Sequence, residues 1–526
     1  MPINWTKHKE EADIEIGSEE FSGGMNTSSS PEALVNQVPI IHNMYYEPSS
    51  GRLRTRWPFK RYSDTVVAGT SPLITGITYF NNKGYITSLD GATHTLHSMA
   101  AKTPSASLGT LNGVGYPSFQ LFGDPAGNIN LCIATGIPGT AAVAEEINAA
   151  ETLTDIANAP TSAIKLLEQD GQLALVGDTT YPDTYFESAV NDKDTWSGGT
   201  TTQISCGYKE DNITIHGMCH AAYNHIILFK KGRSWKQMWL INPTDNDPYA
   251  KLITEDIAPH VHRCYARAAG NLWIMDKVQG AMMLKGVDAM EKIVVDPESL
   301  EIGQRILKGF NVTDDAWMCV FPPHSQIWFC PDPGTSRIIF VLNYRNGTWV
   351  RFLPGGSLAF YCAYFYPNDG YLYLGANDGF VYRYTTDAST SYTDQTGTNT
   401  FQSYPQGIRS KIYDLFPYHY HEIKSPIINM RSIAAGNAIF RIKDDYSQKV
   451  ALQNKFDFTG FGSTLYDYRG KTLYGAVNKT LHTSEVITHW VQQNCNADNF
   501  QYELLVKNGA IEFHSINSQI AKAREI

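Results

Sequence analysis

The stretch DGYLYLGANDG, residues 369–379, alternates apolar and small or polar residues between two turns built from Asp, Asn and Gly. A run of this kind, bounded at both ends by turn formers, is a strand entered and left through tight turns. Six other segments have the same form: NKGYITSLDG at Asn82, GNINLCIATG at Gly127, DGQLALVGD at Asp170, YNHIILFKKG at Tyr223, GNLWIMDKVQG at Gly270 and HSQIWFCPDPG at His324. With Tyr85, Asn130, Gln172, Ile226, Leu272, Ile327 and Tyr371 as anchors, the steps lie between 42 and 55 residues. β-Propeller blades recur every ~40–50 residues with four strands each. The expectation is an all-β chain with a propeller-like domain of about six to seven blades.

Most of these strands have neighbours on both sides. Before them come LITGITYF (73–80), SFQLFG (118–123), SAIKLLEQ (162–169), ITIHGMCHA (213–221), HVHRCYARA (260–268), AWMCVFP (316–322) and LAFYCAYF (358–365). After them come THTLHSM, TYFES, SWKQMWLI, AMMLKG, RIIFVLNY and GFVYRYT. Strands joined in sequence by short polar turns form meanders, which is what a blade is. Two stretches read as helix instead, 139–159 (GTAAVAEEINAAETLTDIANA) and 288–309 (DAMEKIVVDPESLEIGQRILKG). The first would take the place of the second unit's outer strands, and both are expected at the rim.

The repeat occupies 66–387. Residues 1–65 read as an N-terminal arm with a closing strand segment, and ASTSYTDQTGTNT (388–400) reads as a linker because it is polar and lacks large apolar residues. From 401 to 526 the candidates SPIINMRSIAA, AIFRIKDD, KTLYGAV, HTSEVITHWVQQ, FQYELLVKNG and AIEFHSINSQIA alternate in character. They read as a C-terminal antiparallel β-sandwich-like domain.

The chain has 526 residues, too many for one ordinary core, and a repeated architecture resolves that excess. Only 18% of residues are charged, against the ~25% typical of soluble domains, while Tyr (30), Phe (23) and Trp (10) are abundant. The formal charge of −10 excludes ordinary nucleic-acid binding, which needs a basic footprint. No signal-peptide core and no membrane-length apolar run occurs, so a cytosol-like compartment is expected. The eight cysteines form no CxxC pair and read as reduced, buried thiols.

Catalytic signatures such as HExxH, GxxxxGK[ST] and GxSxG are missing, so the common zinc, phosphate and acyl-transfer sites find no motif support and no cofactor or metal is expected; missing motifs do not by themselves exclude an enzyme. Five clusters carry residue types suited to chemistry. His216, Cys219 and His220, and likewise His260, His262 and Cys264, have donor types suited to a soft metal, but strand packing is the favoured reading. His419 and His421 fit a metal less well. NDKDTW (191–196) approaches the Asp-box of propeller sialidases but lacks its Gly and is not repeated, so it reads as an acidic turn. Lys230, Lys231, Arg233 and Lys236, interleaved with Phe229 and Trp235, could hold a single strand; a solvated strand edge is the favoured reading.

The segment FSGGMNTSSSPEALVNQVPIIHNMYYEPSSGRLRTRWPF resembles the opening of the tail nozzle, or packaged-DNA stabilisation, proteins of short-tailed bacteriophages. The matching positions are Gly23, Gly24, Asn26, Pro31, Asn36, Asn43, Gly51, Leu53, Arg54 and Arg56. HAAYNHIILFKKGRSWKQM, RIIFVLNYRNGTWVRF and DGYLYLGANDGFVYRY are similar to later parts of that family. Met25 and the Ser run after Gly-Gly depart from its pattern. The resemblance implies a virion structural protein assembled in the host cytoplasm, and not an enzyme, since no catalytic residues come with that family. It would form a ring with itself, a hexamer in that family, beneath the head-to-tail adaptor and beside other tail proteins. Double-stranded DNA would be retained and then pass through the channel without sequence recognition. An acidic, aromatic-rich surface suits both a non-adhesive channel and subunit contacts. The alternatives are a propeller tail protein that binds or hydrolyses glycans and, third, an intracellular interaction scaffold.

Overall fold

The computed structural model describes residues 11–17, 40–47, 51–285 (less 125, 162, 199–200, 208–212, 223, 233–234 and 245–248), 294–295, 307, 310–385, 393–395, 401–402, 406–413, 419–444, 449–458, 465–466, 472–474 and 487–525 (less 492 and 498). Strands dominate, and no helix among these residues is long and apolar enough to cross a membrane. The chain divides into two compact units, residues 60–338 with 358–384, and residues 1–59 with 339–357 and 385–526.

The first unit is the propeller. Its first five blades are consecutive four-stranded antiparallel sheets, beginning at Leu73–Phe80, Ser118–Gly123, Lys165–Gln169, Thr214–His220 and Tyr265–Ala268. Trp317–Phe321 paired with Gln326–Cys330 begins the sixth, and Phe360–Tyr366 begins the seventh. All seven repeat segments supply the second strand of their unit: Lys83–Asp90, Ile129–Ala134, Gln172–Val176, Ile226–Lys231, Asn271–Asp276, Gln326–Cys330 and Tyr371–Ala376. The seventh sheet takes its outer strand, Phe59–Arg61, from the other end of the chain. Continuing from it, the Tyr62 amide donates to the Val381 carbonyl at 2.8 Å and the Val381 amide to Ser63 Oγ at 3.0 Å. First strands of blades 2 and 3, 3 and 4, 5 and 6, 6 and 7, and 7 and 1 touch, and blades 1 and 2 and blades 4 and 5 share hydrophobic cores, which makes the series a closed ring.

Hydrophobic burial in this ring is distributed between neighbouring blades. Phe80, Tyr85 and Leu96 of blade 1 pack on Leu131, Ile133 and Ile147 of blade 2, and Ile74, Ile77 and Ile86 pack on Cys362 and Tyr373 of blade 7. The approach between blades is close: a Cβ on Gly375 would stand 2.4 Å from Ile74 Cγ2 and 2.5 Å from Cys362 Sγ.

Two expectations need correction. Residues 139–159 are not helical; they contain the strands Glu145–Ile147 and Leu153–Asp155, which complete blade 2. The alanines there answer a packing demand, since Ala144 and Ala159 join Phe122, Phe186 and Trp196 in the core between blades 2 and 3. Tertiary packing overrides the helix propensity of Ala and Glu. In 288–309, Val294–Val295 is a strand paired with Leu284 and Lys285, and Leu307 is the one position described as helical; the rest of that reading lies outside the described residues.

In the second unit, SPIINMRSIAA and AIFRIKDD are parts of one strand, His419–Asp444, and FQYELLVKNG and AIEFHSINSQIA are parts of another, Phe500–Glu525. The two pair antiparallel along their length through several register shifts. At ~3.3 Å per residue, 26 residues would span roughly 85 Å if fully extended. Burial alternates along His421, Ile423, Ile428, Met430 and Ser432, so one face of the ribbon is covered. Lys449–Phe458, Ile487–Trp490 and Cys495–Ala497 pair with the first long strand. Glu11–Gly17 pairs with the second at Ser515–Ala521.

Candidate functional site

The GRLRTRWPF segment has a defined place. Gly51, at φ +66°, closes a hairpin between Met44–Glu47 and Arg52–Thr55, and its amide donates to the Glu47 carbonyl at 2.9 Å. A left-handed position of this kind favours glycine. Alternation then sends Leu53 and Thr55 inward, both fully buried, while Leu53 and Arg54 register with Phe513 and Glu512 of the long strand. Arg54 lies 3.6 Å from Glu47, and Arg52 lies 2.9 Å from Glu512. Thr55 Oγ1 donates to Gln406 Oε1 at 2.7 Å and accepts from the Ile511 amide at 3.0 Å.

Arg56 is the centre of this arrangement. Its guanidinium and the Asp394 carboxylate are both fully buried, in contact at 2.5 and 3.0 Å. Arg56 Nε donates to Asn43 Oδ1 at 2.8 Å, Nη1 to the Trp57 carbonyl, Nη2 to the Leu353 carbonyl, and the group lies 4.3 Å from the centre of the Phe59 ring. Asp394 in turn accepts from the amides of Phe59 and Gly355, at 2.9 and 2.8 Å. Asn43, itself at φ +53°, also receives the Leu353 amide at 2.7 Å. The arrangement draws together three stretches distant in sequence. Its planar, multiply bonded ion pair is the kind for which arginine is suited and lysine is not.

Of the ten resemblance positions, Asn43 and Arg56 therefore meet directly, while Gly51, Leu53 and Arg54 build the adjoining hairpin. Gly23, Gly24, Asn26, Pro31 and Asn36 lie outside the described residues. Asp394 was missed because it stands in the polar stretch read as a linker. Its single nearby signal is the strand former Tyr392 before it.

The other clusters are largely packed, although His262 Nε2 is buried without a partner. His216 Nε2 is 3.0 Å from the Pro259 carbonyl, and His260 Nε2 is 3.0 Å from Asp314 Oδ1. Burial, reinforced by Lys231, holds His216 down to about 3 and His260 to about 4, and burial pushes the Cys219 and Cys264 thiols up to about 12. No group of three or more metal-type ligands occurs among the described residues. His421 is buried against the Phe500 ring.

The basic hairpin is dispersed. Lys230 is buried and donates to the Cys206 carbonyl, Lys231 donates to the His260 carbonyl at 2.8 Å, and Lys236 makes two 2.7 Å contacts to Asp276. Arg233 lies outside the described residues, and Trp235 is exposed. In 191–196 Asp192 accepts from the Asp194 amide and Thr195 hydroxyl, and Trp196 Nε1 donates to the Lys193 carbonyl at 2.7 Å; the segment is a self-bonded turn.

A cleft of about 880 Å³ lies between blades 1 and 2, lined by Tyr79, Asn82, Leu121, Asn128, Ile129 and Glu146 among others. Leu121 and Ile129 there are exposed large apolar residues.

No known protein family and no curated protein matches the sequence. Two similar solved structures are YCF48 from Cyanidioschyzon merolae (11% identity, TM-score 0.38, covering 62% of this chain and 98% of that one) and YCF48 bound to D1 peptide (12%, 0.39, 62% and 96%).

Proposed function

We propose that this chain is a structural virion protein forming the distal tail channel, or nozzle, of a short-tailed phage. In this reading it forms a ring with copies of itself, engages the head-to-tail adaptor and other tail proteins, retains packaged DNA and lets it pass during ejection. The observation that carries the reading is the architecture of the second unit. Two 26-residue paired strands, with the Gly51–Arg56 motif held beside them by a fully buried ion pair, form an extended scaffold of a length that a compact catalytic domain does not need. The formal charge of −10 supports it, because an acidic wall gives DNA no counterion-release affinity. Native mass spectrometry of the full chain, alone and with purified adaptor, tests it. Closed ring oligomers are expected, and a monomer under every condition overturns it.

A second reading, a glycan-binding or glycan-hydrolysing tail protein, is favoured by the cleft between blades 1 and 2. Its amides, carboxylate and Tyr79 could bond and stack on sugars. Binding on a glycan array that is lost in Asn82→Ala would support this reading; no binding to any glycan would remove it.

A further inference from the structure

The centre of the propeller holds a second, smaller cavity of about 300 Å³. Its walls come from the first strands of blades 1, 2, 3, 5, 6 and 7, with Pro117 just before blade 2 and the turn leading into blade 5. Three basic side chains line it, Lys165, His262 and Arg263, and no Asp or Glu is among its lining residues. That composition runs against a chain whose formal charge is −10.

Each basic group is only partly satisfied by the protein. Arg263 donates Nη1 to the Tyr361 carbonyl at 2.7 Å and Nη2 to the Asp315 carbonyl at 2.9 Å, and its guanidinium stacks 3.3 Å from the Tyr116 ring centre. Its Nε is buried without an acceptor. The Asp315 carboxylate takes the Tyr116 hydroxyl at 2.7 Å, and what Asp315 bonds to Arg263 is its backbone carbonyl. Lys165 Nζ lies 5.9 Å from the centre of the Tyr265 ring, a weak cation–π distance. His262 bonds to the Pro117 backbone, and its Nε2 is buried without a partner.

Burial drives Lys165 down to about 8 and holds His262 well below its usual range, with Lys165 and Arg263 adding to that depression. His262 is therefore neutral near pH 7. With its Nδ1–H on the Pro117 carbonyl, Nε2 is a bare acceptor. A half-buried ammonium without a counter-charge is disfavoured, and an anion beside it offsets that cost. The partners fit an oxyanion that still carries a proton: a P–O⁻ oxygen for Lys165 and Arg263, and a P–OH hydrogen for His262. A water's share of liquid volume is ~30 Å³, so the cavity has room for such an ion with several waters.

We propose that the central cavity of the propeller binds a protonated phosphate group, with Lys165 and Arg263 as cationic donors and His262 Nε2 as the acceptor of the phosphate proton. Proton content gives selectivity, since sulfate at neutral pH has no O–H to offer the imidazole.

Calorimetric titration of the full chain at pH 6.5 with inorganic phosphate, glycerol phosphate and sulfate tests this, alongside thermal melting. Phosphate should bind and raise the melting temperature in a concentration-dependent way. Sulfate should bind about tenfold or more weakly, the worth of one hydrogen bond to a charged group. Tighter binding of glycerol phosphate supports a seat for a phosphate borne on a larger molecule, and tighter binding of the inorganic ion supports a free ion. Lys165→Met, which keeps the apolar stem, should weaken phosphate about 10- to 100-fold while melting no lower than the parent without phosphate. Lys102→Met, on the exposed surface, should leave binding unchanged. Absence of phosphate binding, or equal affinity in Lys165→Met, overturns the site. Equal affinity for sulfate overturns the role of His262.

Discussion

The two units dispose of part of their buried polarity differently. In the unit of residues 1–59, 339–357 and 385–526, two buried acids are matched by several cations. Arg56 is sealed against Asp394, and Glu503, whose carboxyl is held below its usual range by hydrogen bonds from Arg409 and Lys443 that outweigh its burial, also receives Arg441. In the propeller, Lys236 is paired with the buried Asp276, but several other buried polar groups are held neutral or face a cavity. His94 hydrogen-bonds Thr75 and the Gly113 carbonyl, His216 and His262 bond to backbone carbonyls, and Lys165 lines a space with no carboxylate. The difference follows from construction. A ring of meanders meets itself largely through apolar blade faces. A unit gathered from three chain segments needs specific contacts to select the right partners, and buried ion pairs can supply that specificity.

Acid should separate the two units most strongly. Among the described residues, six propeller histidines are held below their usual range (His94, His97, His216, His220, His260 and His262) against three elsewhere (His42, His489 and His514), burial being the main cause throughout. For each, the unfolded state takes up a proton near 6.5 while the folded state does so lower, at about 4 for His94. Stability therefore falls as pH drops from 6.5 towards 4, by up to about 1.4 kcal/mol per pH unit for each titrating site. Glu145, pushed up to about 7 by burial, opposes this within the propeller between pH 4.5 and 7. Hydrogen exchange followed by mass spectrometry should show propeller segments losing protection first; simultaneous loss in both units would break the contrast.

Asp394→Ala comes next. It strands a buried guanidinium and should cost about 3–5 kcal/mol, read as lost protection in Met44–Thr55 and neighbouring strands while propeller peptides stay protected. Gly375→Ala should do the reverse, destabilising the contact between blades 7 and 1 by about 1–3 kcal/mol through overpacking, measured by denaturant unfolding. Arg52→Ala, which breaks a partly exposed pair with Glu512, should shift unfolding by about 1 kcal/mol or less.

The same contrast explains what could be read from the sequence. Blades are local: Tyr85, Gln172 and Tyr371 each pair with strands a few residues away, so turn chemistry and alternation suffice. Local propensity misleads only where packing wants small side chains, as at Ala144 and Ala159. The keystone of the other unit joins residues 338 positions apart, and nothing near Asp394 announces a buried carboxylate. Continuity of the long strands was hidden by the small-residue Ser432–Gly436 and the polar Lys507–Gly509 interruptions, which coincide with register shifts or flank them. The central cavity was only partly legible: His262 falls in the cluster around residues 260–264, but Lys165 lies about a hundred residues away and nothing local announces that it faces Arg263.

The central claim is that this chain builds a channel with copies of itself. Negative-stain imaging of the purified full chain, with and without adaptor, tests it most directly. A closed ring with an axial opening wide enough for duplex DNA is predicted; uniform single particles without an opening, at high concentration and with adaptor present, would contradict it.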